Sequence, residues 1–276
     1  GYFYSSWKTK YQLIMSLRFK KIFEKQSKKL VTFTTGGDPD LETSKKILEI
    51  IADNNIDIVE IGMPFSDPMA DGPTIQLSSN RAIKRGVNLK TIFEICSYLR
   101  KVNKKIPIIL MGYYNVILHY GLNSFVKECS SIGIDGLIIV DLQPEEDSEL
   151  YGLIESKNIS LIRLITPTTN AERLKKIVST ASGFLYYVTV TGVTGQKSAN
   201  IKELKKAVDN IKKYTKLPII AGFGINNKDQ VKKICKITDG VVVGSSIVKI
   251  IENNLKNEER MIKNIGKFVK DLNKGS

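Results

Sequence analysis

Short runs rich in Ile, Val and Leu recur along this chain, each followed by a longer segment with helical periodicity, at a spacing of roughly 30 residues. The runs fall at 30–35, 56–61, 106–111, 134–140, 159–164, 184–190, 217–221 and 240–243, which makes eight strand candidates. The amphipathic segments between them cover 41–52, 88–102, 122–132, 145–157, 171–181, 201–214 and 226–236, with a last helix from Ser246 onward. Strands joined by helices must run parallel and are covered on both faces, so they read as near-continuous apolar runs. The pattern predicts an α/β fold, a single (β/α)8 TIM barrel. Pro107 and Pro218 stand at strand beginnings, where a missing N–H does least harm. An open doubly wound sheet is the rival, but Gly36-Gly37-Asp38-Pro39 after the first strand is not a G-x-G-x-x-G turn. No low-complexity linker divides the chain, and 42% hydrophobic content suits one large core, so residues 16–276 are expected to form one domain.

Residues 1–15 carry no assignable function, and Met15 is a candidate start. Over 16–29, Leu17, Phe19, Ile22 and Phe23 alternate with Arg18, Lys20, Lys21 and Lys25, which predicts an extra N-terminal helix. Closing the bottom of the barrel is preferred for it over lying on a membrane surface. No apolar run approaches the roughly 18 residues of a span and no signal-peptide core is present, so a cytoplasmic protein without a membrane partner is expected. The formal charge of +14 raises the question of nucleic acid. Pairs such as Lys45-Lys46, Lys104-Lys105, Lys175-Lys176, Lys205-Lys206 and Lys232-Lys233 are, however, spread over successive helices as solvated outer faces, and no nucleic-acid partner is expected. Cys96, Cys129 and Cys235 are widely separated with no C-x-x-C pair, and read as buried thiols rather than a metal or redox site. The lone histidine, His119, has no triad or ligand partner near it in sequence and is read as structural or surface.

Chemistry concentrates in residues 59–76, V-E-I-G-M-P-F-S-D-P-M-A-D-G-P-T-I-Q. Glu60 lies on an apolar strand near its C-terminal end, the side of a barrel that carries active sites. Pro64, Pro68 and Pro73 stiffen the loop that follows, so Asp67 and Asp71 are held in place. Three glycine-bearing turns, at 192–195, 222–224 and 244–246, follow the last three strands on the same face. Their N–H groups, with the positive end of a helix that opens at Gly244-Ser245, make a phosphate site that needs no Lys or Arg. Residues 192–200 have few apolar anchors and are expected to act as a lid.

On the stretch E-I-G-M-P-F-S-D-P-M-A-D-G-P-T-I-Q the chain resembles the tryptophan synthase α-chain family, and the likeness runs from about residue 30 to 252. It implies a lyase of tryptophan biosynthesis that cleaves indole-3-glycerol phosphate by a retro-aldol step into indole and glyceraldehyde 3-phosphate. By this resemblance Glu60 and Asp71 fall on the catalytic pair, and Phe33, Tyr113, Asp141 and Tyr186 lie near the indole and glycerol parts of the substrate. Thr194 and Gly195 match the mobile loop, and Gly224, Gly244 and Ser245 the phosphate cradle. The family's partner is a β chain in an α2β2 complex, and pyridoxal phosphate is expected only on that β chain, with no cofactor or metal here. Departing C3 of indole needs a proton, and the ring N–H needs an anion as positive charge develops. Glu60, on an apolar strand, suits the first task and Asp71, in a polar loop, the second. Pro64 and Asp67 are expected to contact the partner. Gln143 stands where the family often has proline, close to that contact region. A stand-alone lyase fits the same residues, whereas a catalytically dead scaffold is disfavoured by retention of both carboxylates, and a phosphosugar isomerase by the match around Glu60.

Overall fold

A computed structural model describes residues 13–67, 71–189, 197–222 and 224–276. In chain order its elements are α1 (Leu17–Glu24), β1 (Lys29–Thr35), α2 (Leu41–Asp53), β2 (Ile58–Gly62), α3 (Pro73–Lys84), α4 (Leu89–Val102), β3 (Ile108–Gly112), α5 (Tyr114–Tyr120) and α6 (Leu122–Ile132). They continue with β4 (Gly136–Ile139), α7 (Ser148–Glu155), β5 (Ser160–Leu161), β6 (Arg163–Ile165), α8 (Ala171–Thr180), β7 (Leu185–Val188) and α9 (Lys197–Ile211). The last are β8 (Ile219–Gly222), α10 (Lys228–Cys235), β9 (Gly240–Val243), α11 (Ser245–Asn253) and α12 (Glu258–Leu272).

The strands pair in parallel in the order β5-β4-β3-β2-β1-β9-β8-β7-β6. Its two outermost members, β5 and β6, are one continuous stretch of chain interrupted only at Ile162. On one side Ile162 N–H donates to Leu137 O at 2.9 Å, and on the other Leu161 O accepts from Ser182 N–H at 2.9 Å. The sheet therefore closes on itself, and the expected eight-stranded barrel is present. The run at 159–164 splits because a tilted strand changes ladder partner along its length.

Side chains alternate across each strand. Val31, Phe33, Ile58, Ile109, Ile138, Ile162, Ile220 and Val242 meet inside the barrel, whereas Leu30, Val59, Ile61, Leu110 and Leu137 pack outward on the helices. Strand starts share a device: Leu30 N–H donates to Asp57, Ile108 to Asp135, Leu161 to Ser182 Oγ and Ile219 to Asp239, each at 2.8–2.9 Å. An acceptor from the loop before a neighbouring strand thus satisfies a backbone donor that would otherwise be orphaned.

The N-terminal helix closes the bottom of the barrel, as expected. Phe19 is wholly buried and meets Phe184 edge-on at 6.3 Å, while Arg18 reaches the buried Asp135 at 2.8 Å alongside Arg100 at 3.0 Å. The helix is shorter than the amphipathic stretch at 16–29. Lys25 is already extended, and Lys29 enters β1 with its Nζ donating to Lys25 O and Ser27 O. The helices depart from the sequence expectation in three places: α3 and α5 are additional to the expected set, and the helix expected from Ser246 onward divides into α11 and α12. Asn254 and Asn257 mark the break, the second capping α12 through Arg260 N–H at 2.9 Å. The three cysteines are buried and free. Among the described residues no helix is long and apolar enough to cross a membrane.

Candidate active site

Glu60 is the middle residue of β2, two positions short of the strand end, and it faces inward. Its ladder partners are Phe33 on β1 and Ile109 on β3, so a carboxylate stands in an otherwise apolar layer. It is fully buried, and neither oxygen has a hydrogen-bond partner among the described residues. Burial first, and the nearby Asp71 second, push its pKa up to about 8.

Asp71 lies just before α3, whose first residue is Pro73 behind an extended Gly72. Proline at this position fixes the helix start and so the approach of the aspartate. Gln76 Nε2 donates to Asp71 O at 2.7 Å, tying the loop's backbone to the helix it precedes. The half-buried Asp71 carboxyl is raised to about 6 by burial. The two carboxyls thus sit in different environments, the more buried one holding its proton to higher pH.

Aromatic residues and glycines shape the space around them. Tyr186 on β7 has its hydroxyl pushed well above the usual range by burial, then by Glu60 and Asp71, so it stays a neutral phenol beside both carboxyls. A Cβ on Gly222 would come within 3.0 Å of the Tyr186 ring, and one on Gly62 within 2.7 Å of the Phe33 ring tip. Both rings need the missing side chains to lie as they do. Tyr113, at the end of β3, stacks on Phe65 with centroids 5.0 Å apart and an interplanar angle of 29°. Asp141 is exposed at the mouth of β4 and accepts from Tyr114 N–H at 2.8 Å, which fixes the start of α5. A small cavity of about 20 Å³ is bounded by Phe33, Thr35, Gly62, Asp71, Met111 and Tyr113.

After β9, the neighbour of β1 on its other side, Gly244 precedes α11 and Ser245 begins it, with the Ser245 side chain exposed. Gly224 has φ +60°, a left-handed conformation that suits glycine. Ser246 Oγ donates to Ile225 O at 2.6 Å and joins the turn after β8 to the turn after β9. Gly224, Gly244 and Ser245 are thereby brought together. Thr194 and Gly195, with most of the expected lid at 192–200, lie outside the described residues. Pro64 is half-buried and Asp67 exposed on the loop after β2. Beside them a groove of about 890 Å³ is lined by Met63, Pro64, Phe65, Leu118, His119 and Tyr120 among others. Gln143, noted in the sequence for departing from the usual proline, accepts from Arg173, which also holds Glu145 at 2.7 Å.

Sequence reasoning passed over Thr35 and Met111, which line the small cavity with Asp71, and Phe65, which stacks on Tyr113. The inward period of β1 after Val31 and Phe33 would have found Thr35. Phe65 carried no signal beyond lying in the proline-stiffened loop. Among the described residues no cluster of His, Cys, Asp and Glu is placed to hold a metal ion.

Residues 19–276 match the family model described as tryptophan synthase alpha chain. A tryptophan synthase alpha chain from Petrotoga mobilis is 44% identical over 248 residues, covering 90% of this chain and 96% of that one. Among solved structures, tryptophan synthase subunit alpha from Legionella pneumophila superposes with a TM-score of 0.85 at 31% identity, covering 94% of this chain and 96% of the other. A chain of the tryptophan synthase α2β2 complex of Pyrococcus furiosus, a structure concerned with mutual activation, gives 0.81 at 33% identity, with 90% and 99% covered.

Proposed function

Since this chain belongs to the tryptophan synthase alpha chain family, we propose that Glu60 and Asp71 divide between them the proton and charge chemistry of its reaction. The reaction is the cleavage of indole-3-glycerol phosphate to indole and glyceraldehyde 3-phosphate, in tryptophan biosynthesis. The chain is a carbon–carbon lyase and the α subunit of an α2β2 assembly.

Glu60, holding its proton at neutral pH, donates it to indole C3. Positive charge then spreads over the ring towards nitrogen, where ionised Asp71 lies against the N–H and stabilises it. The bond from C3 to the glycerol carbon breaks, its electron pair returning to the ring. The hydroxyl on that carbon becomes the aldehyde and releases its proton to the Glu60 carboxylate, which restores the starting state. The cycle consumes no net proton. Phe33, Tyr113 and Tyr186 enclose the indole and glycerol parts, and Asp141 orients α5 at the rim. Gly224, Gly244 and Ser245 bind phosphate through backbone N–H groups and the N-terminus of α11. Thr194 and Gly195 belong to the loop that covers the substrate.

The observation that carries the assignment is the wholly buried Glu60 carboxyl, without a hydrogen-bond partner among the described residues and next to Asp71. The chain itself needs no cofactor on this reading, because pyridoxal phosphate serves the β chain's own step. Pro64 and Asp67 face that β chain, and the groove beside Pro64 supplies apolar surface for it to cover. The setting is cytoplasmic. Incubating the purified chain with indole-3-glycerol phosphate, with and without a β chain, and assaying indole tests the reading. Slow release alone and faster release in the complex are expected, and no indole under either condition would refute it.

A further inference from the structure

Three threonine hydroxyls on β1, those of Thr32, Thr34 and Thr35, are buried without a hydrogen-bond partner among the described residues. Alternation separates them. Val31 and Phe33 point into the barrel, so Thr35 follows them inward, whereas Thr32 and Thr34 share the outward face with Leu30. Thr35 pairs with Gly62, which has no side chain to fill the row above Glu60. It also bounds the small cavity whose other walls include Asp71, Ile75 and Ser79. At about 20 Å³ this space holds roughly one water molecule, and Thr35 and Asp71 both border it. A buried hydroxyl left without a partner is unfavourable, and an unused donor beside a half-buried carboxyl has an evident acceptor.

We propose that the Thr35 hydroxyl is the hydrogen-bond donor that receives the Asp71 carboxylate when it ionises, fixing it where the ring N–H of the substrate arrives. Thr35 is on this account a positioning residue acting through Asp71, and the functional consequence rests on the role given to Asp71 above. Among the described residues the titratable groups that face Asp71 are Glu60 on β2, Tyr186 on β7 and Tyr113 after β3. Glu60 and Tyr186 both hold their protons here, so neither offers the anion a positive charge, and the Thr35 hydroxyl is the buried donor in the cavity wall that has no partner among the described residues. Burial raises the Asp71 pKa, and among the described residues no donor lowers it.

Two measurements on the full-length chain test the proposal separately from the function. The first is an NMR titration of the carboxyl carbon of Asp71 in the unliganded protein, comparing wild type with Thr35→Val, Thr35→Ser and Thr34→Val. A hydrogen bond to a charged group is worth enough to move a pKa by about one unit. Thr35→Val should raise the Asp71 titration by about that much, Thr35→Ser should restore it, and Thr34→Val should leave it in place. The second is the acid limb of kcat/KM for indole release, which should shift in parallel. If the wild type releases no indole while the titration still shifts, the functional reading fails and the contact stands. An Asp71 titration unmoved by Thr35→Val would overturn the proposal, as would an equal shift in Thr34→Val. A raised KM with no shift would also overturn it, placing the hydroxyl on the substrate instead.

Discussion

Phe33 and Glu60 are partners in the parallel ladder of β1 and β2, so the ring and the carboxyl project side by side into the barrel. The ring helps to keep water from a carboxyl that has no hydrogen bond among the described residues. Such a group is stable only as the neutral acid until the pH is well above the usual carboxylate range.

Stability should therefore fall with pH in a window that Glu60 sets. Its folded pKa of about 8 lies above the ordinary 4.5, so the folded state binds the extra proton between those values and loses stability as pH rises through them. Glu60→Gln removes this dependence. The variant should be more stable than the wild type at pH 8 and nearly equal to it at pH 4, with an upper bound of about 5 kcal/mol for the difference. Urea unfolding at the two pH values measures it. Equal stability at both would show that Glu60 does not titrate abnormally.

The rate should follow a bell in pH. Activity requires Asp71 ionised and Glu60 protonated, so kcat/KM should rise through about 6 and fall through about 8. The two carboxyls interact, so these limbs belong to the pair. Asp71→Asn should lower activity greatly and remove the acid limb. A flat profile from pH 5 to 9 would contradict the division of roles.

Ser245→Asp places a fixed negative charge at the N-terminus of α11, where the substrate phosphate is expected. The side chain is exposed, so folding should be little affected. KM should rise about tenfold or more, and a competitive glycerol phosphate analogue should weaken in step. Unchanged analogue affinity would put the phosphate elsewhere.

Asp67 lies exposed on the loop that leads from β2 to Asp71, and it has no part in the chemistry derived above. Pairing with a cation on the β chain would bias the loop, and coupling of this sort is typically about 5- to 150-fold. Asp67→Ala should preserve the slow indole release of the isolated chain and remove much of the acceleration by the β chain. Equal loss in both assays would place Asp67 in the active site.

The barrel was legible because its strands are buried on both faces. β1 is buried along its whole length and reads as a strand despite its three threonines. α3 was missed because Gln76, Ser78, Ser79 and Asn80 break its apolar stripe, and two of these serines are buried for packing near the site. Ser78, for example, donates to Asp38 at 2.6 Å, and Arg81 grips the same carboxylate with two bonds of 2.8 Å. A contact between residues forty positions apart has no local signature. Glu60 was conspicuous for the converse reason, a charge inside an apolar run. The Thr35 hydroxyl, by contrast, becomes noticeable only when the cavity it borders is seen.

Indole release from indole-3-glycerol phosphate by wild type and Glu60→Gln, measured side by side at pH 7 with folding checked by circular dichroism, tests the central claim most directly. Glutamine keeps the shape and removes the transferable proton, and general acid–base catalysis is typically worth about 10² to 10⁴ in rate. The account predicts a folded variant, no less stable than the wild type, whose turnover is lower by at least that factor. Turnover within a few-fold of wild type would contradict it.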